Sequence, residues 1–360
     1  MKTGITLQQM AIELERRNET KRDYIADTKA VAVEAHGDTL RLAVNRSAPG
    51  ELLAMPMTDT FIRQTEQLHK VPADFAARMR TKHPDVYAHT MTALLNREPA
   101  RRMIRTLDGK ARANLSDRYR PLDDIDLANA VLPELLQHPD MRVMSTQFTE
   151  TRFYIKAVFP RVEARVRGDV VQAGIVISNS EVGAGALSVM PLVYTLACTN
   201  GMIAEQFGKR RNHVGRHADG DSDSFELYSD RTQRLDNAAF FAKVRDTVRG
   251  TLTLDVLTQI KDAMDAAAGQ KIESRDIPAV VEVVAKRFAY NDTTQKNILQ
   301  HLIEGGDMTR YGLLNAITRS AQDEEDYDVA TRLERDGGRI LELPRDAWKS
   351  ISEAELAKAA

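Results

Sequence analysis

From Arg142 to Met202 the chain reads as strand after strand, and from Asn237 to Arg310 it reads as helix after helix. The two hydrophobic periods occupy separate blocks of sequence. A doubly wound parallel sheet requires a helical crossover between neighbouring strands, so strands and helices must alternate along the chain. These do not. The expectation is an α+β fold: an N-terminal hairpin with helices, a central antiparallel sheet, and a helical C-terminal third. The corresponding segments are 1–100, 101–235 and 236–360.

Local patterns fill in the outline. Leu7, Met10, Ala11 and Leu14 share one face of a helix over Leu7–Arg17. Val31 and Val33, then Leu40, Leu42 and Val44, alternate about His36-Gly37-Asp38, as a β-hairpin does. Thr58–Asn96 is helical, with apolar groupings Phe61/Thr65/Leu68, Phe75/Met79 and Val86/Met91/Leu94/Leu95 and prolines near the helix starts. Met103–Leu107 reads as a strand, and an acid-rich first turn after Pro121 opens another helix. In RFYIKAVFP and VEARVR, every second side chain is apolar. The intervening Arg161, Glu163, Arg165 and Arg167 would give one strand a mostly cationic face. A Gly-rich turn, SEVGAGA, separates the last long strands, and Gly208–Asp230 reads as a long polar loop.

Composition is that of a globular chain, 42% hydrophobic and 28% charged. The apolar runs are too short to span a bilayer, and the first residues hold no signal-peptide hydrophobic stretch. A single cysteine, Cys198, excludes an internal disulfide framework and fits the cytoplasm. Net charge is only −2, but it is unevenly spread. Arg97–Arg120 holds eight Arg/Lys against three acids, an excess of five, and Ala321–Ala360 holds eleven acids against six bases. Lys209, Arg210, Arg211 and Arg216, with His213 and His217, crowd nine residues free of acids.

Motifs for catalysis fail on inspection. Gly183-Ala184-Gly185 lacks the Lys-Ser/Thr of a phosphate loop and leads into a strand. His213 and His217 have zinc-motif spacing, but Val214 stands where the general base belongs. No metal, no cofactor and no enzymatic activity are expected. Cys198 reads as a small buried hydrophobe at a strand end, and Asn200-Gly201 as a turn pair. Two polar clusters stand out. Arg118, Tyr119 and Arg120 offer a ring between forked phosphate donors, or else an Asp–Arg–Tyr network that pins a strand-to-helix junction. Tyr311, Asn315 and Arg319 form a helical stripe that could face a ligand or the fold.

Three blocks, TLDGKARANLSDRYRPLDDIDL (Thr106–Leu127), SNSEVGAGALSVMPLVYTLACTNGM (Ser178–Met202) and RYGLLNAITRSA (Arg310–Ala321), together resemble a phage/plasmid-like family known as the domain of unknown function numbered nine hundred and thirty-two. The resemblance spans most of the chain and implies a mobile-element protein without a settled activity. Joined to the charge pattern, it leads to the expectation of a single-stranded nucleic-acid binder in annealing or recombination, possible as a homo-oligomer. The candidate contacts are Arg118, Tyr119, Arg120, Arg161, Arg165, Arg167, Lys209, Arg210, Arg211, His213 and Arg216, with Tyr119 or Phe153 stacking on bases. The alternative is a protein-interaction or host-modulating factor.

Overall fold

The Thr6 hydroxyl accepts from the Gln9 amide while the Gln9 side chain accepts from the Thr6 amide, so a capping box opens α1 (Leu7–Thr20). That helix turns Met10 and Leu14 inward. In this computed structural model, which describes residues 1–37, 39–45, 52–119, 121–211, 230–251 and 253–355, the fold is α+β. After β1 (Arg22–Asp27), the expected hairpin forms from β2 (Val31–His36) and β3 (Thr39–Asn45), and β4 (Leu52–Pro56) adds a third antiparallel strand. Val33, Leu42 and Met55 pack against Phe61, Tyr87, Met91 and Leu95 of α2 (Asp59–Leu68) and α4 (Pro84–Arg97). Between those helices lies α3 (Ala73–Lys82).

A second small sheet has the order β1-β5-β6, built from β5 (Arg101–Leu107) and β6 (Lys110–Ser116). Pairing β1 with β5 ties the N-terminal segment to the central one across residue 100. Next come α5 (Asp124–Leu136) and the large sheet: β7 (Arg142–Phe148), β8 (Phe153–Val166), β9 (Asp169–Asn179), β10 (Leu187–Thr195), β11 (Asn200–Ile203) and β12 (Lys209–Arg211). Its order is β11-β10-β9-β8-β7, every pairing is antiparallel, and β12 also joins β10 beside β11. The C-terminal part is helical: α6 (Asp230–Thr251), α7 (Leu254–Ala268), α8 (Ile277–Phe288), α9 (Asp292–Gly305), α10 (Arg310–Ser320), α11 (Tyr327–Glu342) and α12 (Arg345–Ser352).

Alternation along β8 assigns the faces of the large sheet. Phe153, Ile155, Ala157 and Phe159 meet α1, α5 and α6 through Met10, Leu127, Val131, Leu135, Phe240 and Val244. Tyr154 and Lys156 point the other way, toward Asp328, Thr331 and Glu334 of α11. Both faces are therefore covered as far as Phe159. The β8–β9 register then slips between Phe159 and Glu163, and beyond the slip only Val162, Ala164 and Val166 still meet helices. The cationic face expected for this strand thus exists only on its outer half.

Candidate nucleic-acid interface and buried polar centres

The expected contact residues divide sharply by environment. Arg161 and Arg165 are exposed on one face of the outer half of β8, with Glu163 between them. The Arg161 side chain is 77% exposed and only 4.0 Å from Asp140. Arg167 lies in the hairpin turn, where its guanidinium forms an ion pair with Asp307 at 3.1 Å. Arg118 is exposed. Tyr119 packs with Met103, Leu115 and Val182, and its hydroxyl donates to Ser180 O at 3.1 Å, so its ring is held by the fold. Of the two readings of that cluster, the junction-pinning one describes Tyr119. Phe153 is 1% exposed and cannot stack on a ligand. Lys209–Arg211 form β12 along Leu187–Val189. Arg120, His213 and Arg216 lie outside the described residues.

Strand pairing also sets how far apart the basic groups are. Arg210 pairs with Ser188, Ser188 with Ser178, and Ser178 with Tyr154. β12 is therefore level with the start of β8, whereas Arg165 is eleven residues further along that strand. Because β8 carries extra residues at the slip, the span is measured on β9, from Ser178 to Val170; eight residues at about 3.3 Å each give roughly 26 Å. The two basic segments occupy opposite ends of the large sheet.

The excess positive charge of Arg97–Arg120 is divided: Arg97, Arg101, Lys110 and Arg118 are exposed, whereas Arg105 and Arg112 are internal. Arg105 is completely buried. Its Nε donates to Asp23 at 2.9 Å, Nη2 to Asp123 at 2.7 Å, and Nη1 to the Glu181 carbonyl at 3.0 Å. Arg112, also buried, pairs with the Glu181 carboxylate, and Arg102 bonds both Oδ1 and the carbonyl of Asn114. Burial works against charge on Asp123, yet Arg105 and Lys21 hold its carboxyl below the ordinary range. Burial, then the neighbouring Glu181, pushes Asp124 up to about 8. Asn179 donates to Asp124 Oδ1 and to the Leu122 carbonyl, both at 2.8 Å.

Beside this network a cavity of about 10 Å³ is lined by Leu14, Arg17, Asn18, Lys21, Asp124, Ile125 and Glu181, room for one water. The Gly-rich segment after β9 is thus docked on the small sheet by Arg105 and Arg112. Gly183 suits the docking: its φ is +74°, and a Cβ there would stand 2.7 Å from Leu115 Cδ2.

A second polar centre joins the blocks around Asn200 and Arg310. Asn200 is buried and begins β11; its amide donates to Thr318 Oγ1 at 2.6 Å and Asn315 Oδ1 at 3.3 Å. The turn lies just before it, where Thr199 has φ +51°, so the Asn-Gly pair serves packing and not the turn itself. Cys198 is half-buried in that turn, not in a strand core, and its carbonyl accepts from Arg319 and Gln322. Tyr311 is buried, which pushes its hydroxyl up to about 12. The Tyr311–Asn315–Arg319 stripe therefore meets the fold.

Sequence reasoning missed a third centre. Lys156 and Glu334, both fully buried, pair at 2.6 Å, and Lys156 Nζ lies 4.5 Å from the centre of the Tyr327 ring. The signal was present: a lone lysine in FYIKAVF, a strand apolar on both faces, needs a buried counterion.

In comparisons with known proteins the chain matches no family model, no curated protein and no solved structure. Among the described residues no helix is long and apolar enough to cross a membrane.

Proposed function

We propose that this protein binds single-stranded nucleic acid without catalysis, as an annealing or recombination component of a phage- or plasmid-type element. The observation that carries this reading is the outer half of β8. Val162, Ala164 and Val166 anchor it on the helices while Arg161 and Arg165 stand exposed on its other face. Their four-residue spacing, roughly 13 Å on an extended strand, holds two forked phosphate donors on a braced support. Glu163 between them moderates the field and favours capture at intermediate affinity.

The test is a filter-binding titration of oligothymidylate across salt concentrations with Arg161→Ala/Arg165→Ala. We expect weaker binding and a salt slope smaller by about 1.4, two contacts at about 0.7 each on single strands. If the parent protein fails to bind at low salt, the reading fails. The observation favouring a second reading, a protein-interaction factor, is β1: an edge strand with Ile25 48% exposed and no described strand on its outer side.

A further inference from the structure

Among the described residues Phe75 is the one exposed Phe, Tyr or Trp, at 55%. Its pairing with Met79 in a helical repeat suggests a core position, and Met79 does turn partly inward. Phe75 turns out. Ala76 takes the buried place on α3, and Phe75, Arg78 and Lys82, spaced i, i+3 and i+7, line the exposed side.

The helix is held in place by more than Ala76. Arg80 pairs with the buried carboxylate of Glu66, which also accepts from the Tyr87 hydroxyl at 2.7 Å, so α2, α3 and α4 share one polar anchor. One exposed apolar side chain is ordinary on a protein surface; what distinguishes Phe75 is that the exposed cations Arg78 and Lys82 share its side of the helix. Here the ring is flanked on one face by two cations, with Asp74 in the helix's first turn as the nearby acid. An aromatic ring followed along the same helix side by two cations complements a strand whose bases present π-faces and whose backbone is anionic.

We infer that the outer face of α3 is a stacking platform for single-stranded nucleic acid, with Phe75 under a base and Arg78 and Lys82 on the flanking phosphates. This rests on the nucleic-acid reading above and supplies the stacking group that Tyr119 and Phe153, held by the fold, do not. The side chains are on the surface, so their replacement leaves the core intact.

The experiment uses the full chain and a fluorescein-labelled oligothymidylate, followed by anisotropy. Phe75→Ala should weaken binding roughly ten-fold, within the range for loss of one stacked base, and Phe75→Tyr should restore most of it. Arg78→Ala/Lys82→Ala should lower the salt slope by about 1.4. A Phe75→Trp protein adds an exposed indole to the buried Trp348, and the oligonucleotide should quench its fluorescence. Unchanged affinity in Phe75→Ala overturns the platform. If Arg161→Ala/Arg165→Ala still weakens binding in that case, the broader reading survives. Absence of binding by the parent protein removes both. Binding of Phe75-dependent anionic lipid vesicles in place of the oligonucleotide also overturns the inference and makes α3 a membrane contact.

Discussion

Burial beside Glu181 raises the Asp124 carboxyl from the ordinary aspartate range to about 8, whereas Asp123, one residue earlier, is held low by Arg105 and Lys21. The consequence for stability has a definite sign. The folded state binds the Asp124 proton more tightly than the unfolded chain does, so its contribution is full below about pH 4. That contribution is lost as pH rises toward and through about 8. Asp124→Asn cannot ionise and keeps an oxygen for the Asn179 amide. We expect the parent protein to lose stability between pH 5 and 8.5, on the order of 1 kcal/mol per pH unit, with a flatter profile for Asp124→Asn. Urea unfolding at several pH values measures both. Parallel profiles would mean that Asp124 is ionised in the native protein.

At the scale of elements, α11 is packed closely against its neighbours. Gly338 lies against β11, where an added Cβ would come within 2.1 Å of the Ile203 carbonyl oxygen. Alanine is the better helix former by about 1 kcal/mol, so propensity alone makes Gly338→Ala stabilising. The contact with backbone wins, because Ile203 belongs to a paired strand and cannot yield as a side-chain tip can. We expect Gly338→Ala to destabilise by about 2 kcal/mol or more, as overpacking does. Gly250→Ala in α6, with nothing within 4 Å of the new Cβ, should be neutral or slightly stabilising. Denaturant midpoints of the two variants separate packing from propensity.

Across the whole molecule, the Lys156–Glu334 pair links the large sheet to the C-terminal helices, 178 residues away in sequence. Removing one partner of a buried pair leaves the other charge without compensation, a loss of about 3–5 kcal/mol. Lys156→Met and Glu334→Leu should each show such a loss, and the double variant should recover most of it, because neither charge is then left buried without its partner. A double-mutant cycle by urea unfolding checks the coupling. Additive losses would show that the two side chains act independently.

Fold class and most elements were legible in the sequence because the signals behind them are local. A period of two in FYIKAVFP or VEARVR and a period near 3.6 in α1 or α8 depend only on neighbouring residues. The destination of each polar side chain was not legible. Arg105, Arg112, Arg118 and Arg161 are chemically the same group; packing buries the first two among Asp23, Asp123 and Glu181 and leaves the others in water. Phe61 and Phe75 differ in the same way, one 2% exposed and the other 55%. The sequence by itself determined most strands and helices and that they cluster as α+β, but not β1, β4 and β6, nor β12, which lies in the segment read as a loop. Tertiary structure alone decided which charges and rings face outward, since exposure depends on contacts between segments that are distant in the chain and carry no shared local period.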